Sequence, residues 1–101
     1  MSELIEKIIE TVCELHEITD IKASIITGRD QRYGRFIAIG LIVDNTKMDY
    51  DAIGELFNRD RTTIYWAHGR YREMIKSGDK ILLNNRTKVI EKLKGYGIKV
   101  H

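Results

Sequence analysis

An all-α fold of about six helices is what this sequence predicts, and three observations lead there. Between residues 2 and 16 the apolar side chains Leu4, Ile5, Ile8, Ile9, Val12 and Leu15 follow the three-and-four spacing of a helix with one buried stripe. The one continuous apolar run, Phe36-Ile37-Ala38-Ile39-Gly40-Leu41-Ile42-Val43, has the composition of a buried strand, but no second strand pattern exists for it to pair with. Proline is absent, and neither a low-complexity tract nor an internal repeat is evident.

Taken in order, Ser2 is suited to cap the first helix, and Glu3 and Glu6 suit the positive end of its dipole. A short second helix is expected over Asp20–Ile26, stopping at Gly28, a residue able to adopt a left-handed conformation. The stretch Gly28-Arg29-Asp30-Gln31-Arg32-Tyr33-Gly34-Arg35 is bounded by glycines and reads as a flexible turn carrying three arginines. The apolar run 36–43 makes the third helix, and Asp44-Asn45-Thr46-Lys47 turns the chain. Asp49 or Asp51 caps a fourth helix with Ile53, Leu56 and Phe57 facing inward. Asn58 then allows a turn into a fifth helix, from about Asp60 to Lys76, whose inner side carries Ile64, Ala67, Tyr71, Met74 and Ile75. Ser77-Gly78-Asp79 breaks it, and a last helix from about Ile81 to Lys94 ends at Gly95, before the tail Tyr96–His101.

A chain of 101 residues holds one compact domain with its core. With 43% hydrophobic and 32% charged residues, a soluble globular chain is expected. No apolar run approaches the roughly 20 residues that cross a bilayer, and the acidic start Met1-Ser2-Glu3 carries no secretory pattern, so the expected location is cytoplasmic. Cys13, the single cysteine, excludes an internal disulfide and a multi-cysteine zinc site, and is read as a small core residue. His16, His68 and His101 are scattered, without a paired nucleophile or metal-ligand spacing, so no enzyme activity, metal or cofactor is expected. The net charge of +2 conceals an asymmetry. Residues 1–20 hold six acids against Lys7 alone, whereas the remaining residues carry 16 basic and 9 acidic side chains. An acidic first helix followed by a basic body suits a domain that binds a polyanion with its first helix turned away.

The segment Asn58-Arg59-Asp60-Arg61-Thr62-Thr63 carries the chemistry. Two helices joined by so short a connection form a helix-turn-helix, whose second member can enter a DNA major groove. The start of a helix presents free amides and the positive dipole end, which favour phosphate oxygens. Arg59 and Arg61 can bind guanine at two points or clamp phosphate, Asp60 can accept from cytosine, and Thr62 and Thr63 offer a hydroxyl and a methyl to thymine. A second reading stays open beside this one: Asp60 as a plain N-cap, holding the amide of Thr63. Trp66 suits either the core or a subunit interface.

These same residues resemble the C-terminal DNA-binding domain of the DnaA family of bacterial replication initiators, domain IV, with its TrpR-like helix-turn-helix. In "AIGELFNRDRTTIYWAHGRYREM", Ile53-Gly54 and Phe57 match the first helix of the pair, Arg59-Asp60 and Thr62-Thr63-Ile64 the recognition tip, and Ala67 a small buried residue one turn later. The resemblance spans about residues 8–76 and is specific over 53–67. Arg61 stands where the family has histidine, Trp66 replaces a second histidine, and the inter-helix turn is one residue short. No glycine-rich phosphate loop occurs, so no nucleotide is implied. A DNA-binding domain is expected over residues 1–78, with 79–101, beyond the resemblance, as a helical extension packed on it; phosphate contacts and dimerisation stay open as roles of that last helix. The resemblance implies major-groove contacts from Arg59, Asp60, Arg61, Thr62 and Thr63, and backbone or minor-groove contacts from the arginine stretch, closest at Arg29 and Arg35. Arg32, Tyr65 and Arg70 join this second group by position. The partner expected is double-stranded DNA, with no membrane. A second copy or a replication or transcription protein stays open as a further partner. Such a module suits a small regulator of replication or transcription, of phage or mobile-element kind. The alternative is a protein–protein adaptor that keeps the fold without binding DNA.

Overall fold

The computed structural model describes residues 2–23 and 28–101. They form five helices and, among the described residues, no strand: α1 (Glu3–His16), α2 (Arg29–Asn45), α3 (Tyr50–Phe57), α4 (Arg61–Ser77) and α5 (Lys80–Gly95). No helix among them is long and apolar enough to cross a membrane.

Side chains set the helix starts. Ser2 lies in extended backbone and its hydroxyl accepts the Ile5 amide at 3.3 Å, with Glu3 and Glu6 in the first turn of α1. Asp49 does the same for Ala52 at 2.8 Å, Asp60 for Thr63 at 2.8 Å, and Asp79 for Leu82 at 3.0 Å. Left-handed residues set the ends: Glu17 after α1, Asn58 after α3 and Gly78 after α4. Of the expected second helix, Asp20–Ala23 is instead a turn. The Asp20 carboxylate accepts the Lys22 amide at 2.9 Å and the Asp20 carbonyl that of Ala23. The rest of that expected helix lies outside the described residues.

The largest departure from expectation is the start of α2. Arg29–Arg35 was expected to be a turn and instead makes the first part of a 17-residue helix. Gly28 is not left-handed; it is the extended residue before the helix, at φ −76. Gly34 is buried because the His16 ring lies against it: a Cβ there would stand 2.7 Å from His16 Cγ. Both glycines read as turn markers, and neither turns the chain inside α2. Further along, Ile37, Ala38, Ile39, Leu41 and Ile42 are all buried, because α2 touches every other helix. A helix covered on all sides has no polar face to betray its period.

The remaining elements close round it. Ile5, Ile8 and Val12 of α1, Ile53 and Phe57 of α3, Ile64, Ala67, Tyr71 and Met74 of α4, and Leu82, Val89 and Leu93 of α5 meet in one core. Gly40 lets α4 approach α2, since a Cβ there would fall 2.2 Å from the Tyr71 ring. The Tyr71 hydroxyl is fixed by the Arg86 Nε–H at 2.6 Å. His68, buried beside it, reaches the Asp44 carboxylate at the end of α2 at 2.8 Å. Cys13 is half-buried against the core, and burial, then Asp20, raises the pKa of its thiol. The tail returns to α2, where His101 and Asn45 exchange two hydrogen bonds of 2.8 and 3.3 Å, leaving the start of α4 uncovered.

Candidate nucleic-acid interface

The connection between α3 and α4 is three residues, Asn58, Arg59 and Asp60. Gly54 explains how so short a turn closes. The Arg59 amide donates to the Gly54 carbonyl at 2.8 Å, and a Cβ on Gly54 would stand 2.4 Å from the Arg59 carbonyl oxygen. The backbone of the turn therefore lies directly on α3, and the direction of α4 is set by that contact.

At the tip, Arg61 and Thr62 are exposed and Thr63 is half-buried. Arg61 stands 3.9 Å from the exposed Asp51 carboxylate, a surface pair that leaves it available. Asp60 caps α4 as the plain reading had it. The amide of Thr63, then its hydroxyl, hold the Asp60 carboxyl below the usual carboxylate range. A depressed folded pKa means that the cap stabilises fully above the ordinary carboxylate value and is lost as pH falls through the lower folded one. Below about pH 4, the melting temperature of Asp60→Asn is therefore expected to fall less steeply with acid than that of the native protein, followed by circular dichroism.

Arg59 is engaged within the fold. Its guanidinium donates to the carbonyls of Phe57 at 3.0 Å, Asn58 at 3.1 Å and Ala23, tying the segment before α2 to the turn. Its role in the geometry is to hold the tip in place.

Arg29, Arg32 and Arg35 gather on the first part of α2, where they line one side of a groove of about 640 Å³. Arg70 of α4 lines the other. Among the described residues Arg29, Arg32 and Arg35 form no ion pair, and Arg70 meets only Glu73, at 3.8 Å on the surface. Arg35 is half-buried, and its pKa is lowered by that burial, then by Arg59, then by Arg32. Asp79 and Glu73 stand at the edge of this cluster, near Arg29 and Arg70, but no acid is among the residues lining the groove, so its field favours an anion there.

The groove also has aromatic walls that the sequence reading did not assign. Phe36 and Trp66 pack with ring centroids 5.8 Å apart, and Tyr33 lies beside them, its hydroxyl donating to Asp79 at 3.1 Å. The sequence does carry a signal for this: Arg29, Arg32, Tyr33 and Phe36 share the i, i+3, i+4, i+7 spacing of one helix face, which has meaning only because the stretch is helical. On α4, Thr63, Trp66 and Arg70 likewise follow one face, so tip and groove adjoin. Tyr65 is not among the residues lining the groove. It is 67% exposed and packs edge-on against Tyr50 of α3 at 5.8 Å.

The sequence matches no known protein-family model, and a search of curated proteins finds no match.

Proposed function

We propose that this chain is a sequence-preferring double-stranded DNA-binding protein, with α4 as its recognition helix. The observation that carries this is the adjacency of an uncovered, hydroxyl-bearing helix tip to a groove with four arginines and no buried acid among its lining residues. Arg61, Thr62 and Thr63 enter the major groove, with Asp60 shaping the tip and facing the bases beside them. Arg29, Arg32, Arg35 and Arg70 run along the phosphate backbone toward the neighbouring minor groove, and Tyr65 flanks the opposite strand. The proposal includes kinship with DnaA domain IV and its TrpR-like helix-turn-helix, a cytoplasmic setting, and a role as a small regulator of replication or transcription of phage or mobile-element kind.

Selection of bound duplexes from a random pool, followed by salt titration, tests it. A consensus must emerge, with affinity falling steeply as salt rises. Thr62→Ala is expected to cost about 1 kcal/mol at a single base-pair position and nothing at others. A pool that yields no consensus, or binding indifferent to salt, refutes the reading. The adaptor reading has its own observation: an apolar groove of about 660 Å³ formed by Ile9, Ile21, Met48 and Leu56, rimmed by Glu6, Glu10 and Glu55 with Lys22 as the one base among them. Its acidic rim suits a basic protein segment, and retention of such a segment with no duplex bound at low salt would favour it.

A further inference from the structure

The groove between α2 and α4 contains more than phosphate binding requires. Arginines alone neutralise a phosphate chain, yet here an indole stands among them. Trp66 is 55% exposed, and Phe36 braces it from behind with ring planes inclined at 60°. One exposed aromatic is ordinary on a protein surface; what sets Trp66 apart is its place in an arginine-lined groove. Flanked by Arg35 and Arg70, it has the composition of a site that stacks a base and holds its phosphate. Within a duplex both faces of each base are covered by its neighbours, so away from the ends only an unpaired nucleotide exposes a face for indole.

Position fits as well. Thr62 and Trp66 are four residues apart on α4, so the groove opens one turn from the tip. A volume of about 640 Å³ accommodates a group of nucleotide size.

Resting on the DNA reading above, we propose that this groove takes one unpaired nucleotide continuing from the bound duplex, its base on Trp66 and its phosphate between Arg35 and Arg70. The protein then prefers DNA that is opened or bulged beside its site.

Trp66 is the chain's single tryptophan, so its emission reports the groove directly. The test compares a short duplex recovered from the random pool with the same duplex carrying one extra unpaired nucleotide in one strand. The bulged duplex is expected to bind about tenfold more tightly, the effect of one base–aromatic stack, and to quench Trp66 more. Trp66→Ala should bring that ratio close to one, and Trp66→Phe should retain part of it. Equal affinity and equal quenching by the two duplexes overturn the proposal while leaving the DNA reading intact. So does a ratio that persists in Trp66→Ala. Quenching by poly-glutamate as strong as by the bulged duplex assigns the groove to an acidic protein segment and overturns it too. Failure of both duplexes to bind removes the DNA reading itself.

Discussion

Replacing Arg29, Arg32, Arg35 and Arg70 together with glutamine is expected to remove nearly all duplex binding while leaving the melting temperature equal to or above that of the native protein. The two halves of this result come from one arrangement. Arg29, Arg32 and Arg35 have no ion-pair partner among the described residues. Arg35 is half-buried, with Arg59 and Arg32 near enough to lower its pKa, so its charged form is held against desolvation and repulsion. Arginine does not escape by losing its proton at neutral pH, and the folded protein therefore carries that penalty. Glutamine relieves it and keeps much of the stem. Binding moves the other way. Each phosphate contact contributes a slope of about 0.9 in the dependence of log affinity on log salt, so losing four lowers the slope by roughly 3 to 4. At about 0.15 M salt this corresponds to a loss on the order of a thousandfold. A fall of several degrees in melting temperature would make the arginines structural, and unchanged duplex affinity would place the DNA elsewhere.

The contrast between tip and groove shows what a single sequence makes legible. The tip is local. Asp60 with Thr63, Asn58 at the turn and the inward Ile64 and Ala67 lie within a few residues of one another, and their spacing alone sets the element and its cap. The groove is tertiary. It joins Arg29 to Arg70 across two helices, and its first half was concealed by two glycines whose purpose the sequence does not state. A glycine serving a left-handed turn and a glycine making room for a histidine ring look alike in one letter, and Gly34 is of the second kind. The apolar run 36–43 was ambiguous for a related reason: burial on every side erases periodicity. Arg59 marks a third limit. A guanidinium at a helix tip reads as a ligand for DNA, and only the arrival of the Ala23 carbonyl, from a segment 36 residues earlier, turns it inward.

Gly54→Ala and Gly40→Ala form a pair whose comparison separates folding from recognition. Each adds one methyl group where no room exists, 2.4 Å from the Arg59 carbonyl in the first case and 2.2 Å from the Tyr71 ring in the second. Each is expected to destabilise by about 1–3 kcal/mol, the usual effect of overpacking. What yields differs. At Gly40 the obstacle is a buried side chain whose hydroxyl is held by Arg86 at 2.6 Å, so the strain is expected to fall on the α2–α4 contact rather than on the turn. At Gly54 the obstacle is the backbone of the turn itself, so relief requires Arg59 and Asp60 to move off α3. That shift carries the first turn of α4 with it and strains the three carbonyl contacts of the Arg59 guanidinium. Measured on the same selected and random duplexes, at a temperature where both variants remain folded by circular dichroism, Gly40→Ala should keep the native ratio of specific to random affinity. Gly54→Ala should lose most of it while keeping salt-dependent binding, because the groove arginines of α2 are untouched. Equal ratios in the two variants would mean that the position of the α4 tip does not determine which sequence is read.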